Sequence, residues 1–242
     1  MQNLDDVASK YLQAPDVEIE NDLIMQWYPQ RVAARTGPVK RCLELGLGHG
    51  YTVRPFQDLA EEHVVIEGSG LVIEHFRKSN PWYHGKIIEG YFETCDPEGQ
   101  FDLIVMGFVL EHVDDPVSIM DRYRQYLAPG GRLFVAVPNA KSLNRRLGLE
   151  MGLISDIYAL NATDHQLGHQ RNYCLETLTA DAQAAGYQVV HEEGVYLKPL
   201  PLGVLKTMDD LDANLDAMLK VGVDYPDLCV AILVELMPKA HD

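Results

Sequence analysis

Positive charge is scarce in this 242-residue sequence: 20 Lys and Arg stand against 36 Asp and Glu, a formal net charge of −16. A field of that sign repels nucleic-acid phosphates and anionic membrane surfaces, so no nucleic-acid or membrane partner is expected. Long apolar runs are missing as well, and none approaches the ~20 residues that span a bilayer. The N-terminal stretch MQNLDDVASK has no apolar signal-peptide core. Cysteine is sparse: Cys42, Cys95, Cys174 and Cys229 lie far apart with no CxxC spacing. That pattern excludes a disulfide framework and a cysteine-based zinc site, and reads as reduced thiols. Repeats and low-complexity segments are absent. These absences predict a soluble, cytoplasmic protein. What is plentiful is apolar side chains, at 47% hydrophobic, enough for the core of one large domain.

Short apolar runs alternate with longer helical patterns. Strands are expected over 42–45, 63–67, 86–88, 101–106, 132–137, 188–196 and 228–236. Helices are expected from the turn at 46–50 to about 60, and over 71–78, 116–127, 175–185 and 207–220. Pro129-Gly130-Gly131 reads as a turn feeding the fifth strand. Strands and helices in this rhythm predict an α/β fold, a doubly wound and mostly parallel sheet with helices on both faces. The last strand returns after an exposed helix and is expected to pair antiparallel. An apolar stripe at 17–35, with Ile19, Leu23, Ile24, Trp27 and Val32, predicts an N-terminal helical lid over 1–36. Residues 37–242 form the main domain. Its insertions at about 139–173 and 199–226 fall on the substrate side.

The stretch RCLELGLGHG at 41–50 places Gly46, Gly48 and Gly50 at alternate positions behind an apolar run. In an open α/β sheet such a turn lets the backbone approach a ligand at the switch point. A dinucleotide fingerprint, GxGxxG, needs glycine where Tyr51 stands, and no Tyr-x-x-x-Lys pair is present. Both departures weigh against a nicotinamide-dependent oxidoreductase. Glu44 repels a pyrophosphate and suits a ligand bearing an ammonium group. Glu67 lies roughly 20 residues beyond the turn, where an acid accepts hydrogen bonds from both ribose hydroxyls. The site therefore suits a ribose-bearing, cationic ligand.

These residues resemble the class I S-adenosylmethionine-dependent methyltransferases. ELGLGHG matches that family's E-x-G-x-G-x-G motif, and Glu67 matches its ribose-binding acid. FDLIVMGFVLEHV at 101–113 is similar to its fourth-strand motif, and LAPGGRL at 127–133 to its entry into strand five. GHQRNY at 168–173 is similar to a segment of the branch containing ubiquinone-biosynthesis and natural-product methyltransferases. The resemblance runs from about 40 to 190. It implies a seven-stranded Rossmann-like sheet, S-adenosyl-L-methionine as cofactor, and O- or N-methylation of a small-molecule acceptor by in-line displacement. The cofactor contacts it implies are Glu44, Gly46, Gly48, Gly50, Glu67, Gly68, Tyr91, Phe92, Met106 and Phe108, with Tyr11 from the lid. Either Tyr91 or Phe92 is expected to stack on the adenine.

On the acceptor side, a hydroxyl substrate gains from a general base, and histidine has the suitable ordinary pKa. His169 leads the candidates, followed by His112 and His165, with Asn139, Arg171 and Tyr173 orienting the acceptor. Glu111 reads as a helix-entry carboxylate. Asp164, His165 and His169 share a spacing that could hold a metal, but Gly168 interrupts the helix there and no metal is expected. A non-catalytic cofactor-binding module stands as the alternative to an enzyme, and homodimer formation stays open.

Overall fold

The computed structural model describes residues 18–239. Seven strands form one sheet: β1 (Val39–Leu45), β2 (Ala60–Glu67), β3 (Lys86–Glu89), β4 (Phe101–Gly107), β5 (Leu127–Pro138), β6 (Tyr187–Val195) and β7 (Ala231–Pro238), in the order β3-β2-β1-β4-β5-β7-β6. β1 to β5 run parallel, and β7 lies antiparallel between β5 and β6. The doubly wound sheet with its antiparallel last strand is thus the expected one.

The strands are buried on both faces, which is why they read as continuous apolar runs. Alternation sorts them. Leu43, Leu45, Ile104, Met106, Leu133 and Val135 share one core with Ile119, Met120 and Tyr123 of α4 (Pro116–Arg124) and Leu178 and Ala182 of α7 (Leu175–Ala184). Cys42, Leu103, Val105, Phe134 and Ala136 share the opposite one with Ile24, Tyr28 and Val32 of α1 (Glu18–Thr36), and with Leu215 and Leu219 of α9 (Leu211–Gly222). Shorter helices are α2 (Val53–Leu59), α3 (Gly70–Ser79), α5 (Leu143–Glu150), α6 (Ala162–Leu167) and α8 (Leu202–Leu205).

Two local expectations change. The Pro129–Gly131 turn is absorbed into β5, with an irregularity in the pairing between Phe101 and Leu103. Gly130 takes a positive φ of 80° there, and a side chain on Gly131 would collide with the Phe101 and Ala128 carbonyl oxygens. Glycine therefore lets the strand kink instead of stopping. The helix after the glycine turn is also short, because Ala60 already adopts extended backbone and opens β2. Among the described residues no helix is long and apolar enough to cross a membrane.

Candidate active site

Parallel pairing brings the carboxyl ends of β1, β2, β4 and β5 to one edge, and the chain switches direction between β1 and β4. Ligands of doubly wound sheets bind at that crevice. The glycine turn lies there, with φ of +86° at Gly46, +49° at Gly48 and +79° at Gly50, all in the left-handed region. Gly50 is further constrained: a Cβ would lie 2.7 Å from the Phe76 ring of α3. The turn is tied to β2 by Gly46 N–H donating to Ile66 O at 2.8 Å.

Glu67 ends β2 beside that turn. Its Oε2 accepts from Leu47 N at 2.9 Å and its Oε1 from Ser69 N at 2.8 Å. Two backbone donors fix the carboxylate, and each oxygen retains acceptor capacity toward hydroxyls. The side chain is only partly buried, so a ligand can reach it, and Gly68 follows at the strand's end. Phe92 leans over the turn: its Cζ and the Val109 Cγ2 each stand 3.9 Å from where a Cβ on Gly46 would be. Tyr91 is exposed. Phe92 is thus the ring nearer the glycine backbone.

At the end of β4, Phe108 holds a positive φ of 57°, uncommon for a bulky residue, and its N–H donates to Ala136 O at 2.8 Å. Its ring meets Tyr28 edge-on at 5.9 Å. The Tyr28 hydroxyl lies so close to Gly107 that no side chain fits there. α1 therefore reaches the site through a buried tyrosine that the apolar stripe did not single out.

Beyond Phe108 a loop carries Glu111 and His112. Glu111 is fully buried, and neither carboxylate oxygen meets a hydrogen-bond partner in another residue. Burial pushes its pKa up to about 7, against the opposing pull of His169 and Arg171. Burial and then the neighbouring His169 push His112 down to about 4. The His112 and His169 rings meet edge-to-face with centroids 4.7 Å apart. His169 Nδ1 lies 3.3 Å from Asp164 Oδ1. Asp164 is itself fixed in a capping box at the start of α6, where Asn161 N donates to its Oδ2 at 2.8 Å. Burial works against the charge of Asp164. His169, the Asn161 N–H and Arg145 outweigh it and hold the carboxyl below its ordinary range.

The segment 168–173 is what places this loop. Gln170 Nε2 donates to His112 O at 2.7 Å, and Gln170 N to Glu111 O at 2.8 Å. Arg171 donates to the carbonyls of Leu110 at 2.8 Å and Asp114 at 3.1 Å, and to that of Val113.

Several expected contacts need correction. Glu44 is not presented to a ligand. It is 2% exposed, accepts from the Thr52 hydroxyl, and has Oε2 3.2 Å from His63 Nε2, because its strand position points into the layer between β1 and α2. The Met106 side chain is fully buried in the core. Asn139 donates to Pro226 O and Cys229 O, at 3.1 and 2.9 Å, and accepts from Lys141 N, so its amide is spent on the turn leaving β5. Arg171 serves the loop, and Tyr173 is buried with its hydroxyl on Asp181 at 3.1 Å. His165 is exposed on α6, and that helix stops at Gly168 in the left-handed conformation, so the Asp164, His165 and His169 face does not assemble. Tyr11 lies outside the described residues.

Glu111 is the residue that the sequence reading misplaced. α4 begins only at Pro116, with Asp115 as its N-cap accepting from Ser118 N. The Asp115-Pro116 pair was the available signal that Glu111 precedes the helix by too far to serve its entry.

Comparison with known proteins decides the family. Residues 19–192 match the family described as "Methyltransferase domain". The chain belongs to that family. This methyltransferase is 28% identical over 199 residues to a ubiquinone biosynthesis O-methyltransferase of Mesorhizobium japonicum, covering 78% of this chain and 76% of that protein. It is 25% identical over 170 residues to a probable S-adenosylmethionine-dependent methyltransferase of Mycolicibacterium smegmatis, covering 69% of this chain but only 59% of that longer protein. Its fold is that of the N-methyltransferase NodS from Bradyrhizobium japonicum WM9, solved with S-adenosyl-L-homocysteine, at a TM-score of 0.60, 16% identity and 98% coverage of both chains. S-adenosylmethionine is the methyltransferase's cofactor. The open glycine turn and the partly exposed, doubly held Glu67 fit a ribose-bearing ligand that carries no pyrophosphate.

Proposed function

We propose that this methyltransferase transfers a methyl group to a hydroxyl of a small organic acceptor bound over Glu111, His112 and His169. The observation that carries the reading is the placement of that polar cluster at the carboxyl end of β4, beside the cofactor crevice. The net charge of −16 supports a small acceptor over a polyanion. The O-methyltransferase name of the Mesorhizobium relative agrees with an oxygen acceptor.

When bound, the cofactor supplies an electrophilic methyl on a sulfonium, whose C–S bond breaks as the new O–C bond forms. This chain's residues align and prepare the two reactants. Gly46 and Gly48 give the ligand access to the backbone, Glu67 accepts from the ribose hydroxyls, and Phe92 covers the adenine. Phe108 and Tyr28 wall the methyl-donor end. The acceptor's hydroxyl proton must leave, and His169, oriented by Asp164, is the group placed to take it. Burial around Glu111 excludes water, which keeps the cluster's polar groups for the acceptor.

The cofactor half of the reading is tested by calorimetry with S-adenosylhomocysteine. Glu67→Ala removes two charge-assisted hydrogen bonds of about 1.5 to 3 kcal/mol each, so affinity should fall at least tenfold. Unchanged affinity in the folded variant removes Glu67 from the site, and tight NAD binding by the wild type overturns the cofactor assignment. A screen of hydroxyl and amine acceptors with labelled S-adenosylmethionine tests the other half. Labelling confined to amines overturns the oxygen reading.

A further inference from the structure

We infer that Glu111, His112 and His169 form a site for one divalent transition-metal ion, with Asp164 as the carboxylate that holds His169 in place. A potential ligand atom from each of the three lies within 4.8 Å of the other two. Bonds of about 2.0–2.2 Å set neighbouring ligand atoms roughly 3 to 3.5 Å apart, so side-chain adjustments of about an ångström close the set on an ion.

Two independent features say that something belongs there. Glu111 is completely buried and neither of its oxygens has a hydrogen-bond partner in another residue. A desolvated carboxylate with no donor from another residue is costly, and a cation is the partner that offsets that cost. Secondly, His169 Nδ1 faces Asp164 Oδ1 at 3.3 Å, and the capping box fixes Asp164. Metal-bound histidines are held in this way, through a carboxylate on the ring nitrogen that does not ligate.

The donor set chooses the class of ion. Two imidazoles and one carboxylate match zinc and ferrous sites that keep positions open for a further ligand. Magnesium and calcium take oxygen ligands instead. The cluster includes none of the four cysteines, so a thiolate-bound structural ion is not what it offers. When bound, the ion would occupy the His169 nitrogen that otherwise takes the proton, and would instead hold and acidify an acceptor oxygen at its open position, a part that rests on the methyl-transfer reading. Its binding does not.

The test is titration of the metal-stripped full chain with Co²⁺ and with Zn²⁺, read by ligand-field absorption and by calorimetry. One equivalent should bind with the absorption of a nitrogen- and oxygen-ligated ion. Glu111→Gln and His169→Ala should each weaken binding by about 100-fold or more, and Asp164→Asn, which keeps the helix cap, by about 10- to 100-fold. His75→Ala, on the exposed face of α3, should leave affinity unchanged. Glu111→Gln keeps size and shape, so it carries the test even if His169→Ala fails to fold. No uptake by the wild type, or equal uptake by Glu111→Gln, overturns the site. S-adenosylhomocysteine titrated into the metal-stripped chain reads the cofactor crevice separately, so the two readings fail by different measurements.

Discussion

Two carboxylates mark the two halves of the proposed site, and they are held in opposite ways. Glu67, on the cofactor side, is partly exposed and takes a backbone N–H on each oxygen. Glu111, on the proposed acceptor side, is fully buried with no donor from another residue on either oxygen. The first is satisfied before any ligand arrives, so its region is a finished receptor built from neighbouring loops of β1 and β2. The second carries an unmet requirement, and the region around it is assembled from a loop after β4 and a segment some 57 residues further on. A self-contained binding turn and a long-range polar cluster respond differently to mutation.

The sharpest way to separate the halves is His169→Ala. As general base His169 contributes about 10²- to 10⁴-fold, and as metal ligand its loss removes the ion that would acidify the acceptor instead, so on either role turnover should fall by about that range. Affinity for S-adenosylhomocysteine should barely move. Calorimetry and single-turnover rates on the same preparation check both. Equal losses in the two quantities would join the halves and break the comparison.

The same contrast governs what the sequence made legible. RCLELGLGHG and Glu67 announce the roles proposed for them because everything those roles need is local: alternating glycines with positive φ, a strand before them and an acid at the end of the next strand. The sheet was equally plain, since strands buried on both faces read as unbroken apolar runs. The acceptor side was not, because its polar residues are sorted by tertiary partners. Asn139, Arg171 and Tyr173 have the right chemistry to hold an acceptor, yet carbonyls and Asp181 claim them. Glu111 looked like helix entry until its burial set it apart. Glu44 looked ligand-facing until its strand position turned it toward Thr52 and His63.

Arg171→Ala should produce a smaller effect, confined to the acceptor half. Its guanidinium donates to three carbonyls of the loop that carries Glu111 and His112, so it is a positioning residue. Charged donors of this kind are worth about 1.5 to 3 kcal/mol when buried and less where solvent reaches them, as it partly does here. Turnover should fall roughly tenfold with the melting temperature lowered by a few degrees. Arg171→Lys should not rescue, because one ammonium cannot span the three acceptors. Rescue by lysine would show that charge alone holds the loop.

The smallest effect on turnover should come from neither half. Glu193 on β6 is buried, with Arg31 of α1 donating to both of its oxygens at 2.7 and 2.9 Å and His191 Nε2 on one of them at 2.8 Å. Burial acts to raise the Glu193 pKa, but the hydrogen bonds from Arg31 and His191 outweigh it and leave the carboxyl below its ordinary value. A depressed folded-state pKa contributes stability that is present above the unfolded value of ~4.3 and lost as pH falls through the folded one. Arg31→Ala removes the main offset and leaves a carboxylate 3% exposed, so burial then raises its pKa. Exposed pairs are worth about 0–1 kcal/mol and broken buried pairs about 3–5. With Arg31 a quarter exposed and Asp224 nearby, a loss of about 1–3 kcal/mol at pH 7 is expected. The gap between wild type and variant should shrink from pH 6 toward pH 4, as Glu193 protonates more readily in the variant. Denaturant melts across that range measure it. Turnover per folded molecule should stay unchanged, since Arg31 sits on the flank of α1 that packs against β6. A fall in turnover would extend the site along α1 beyond Tyr28.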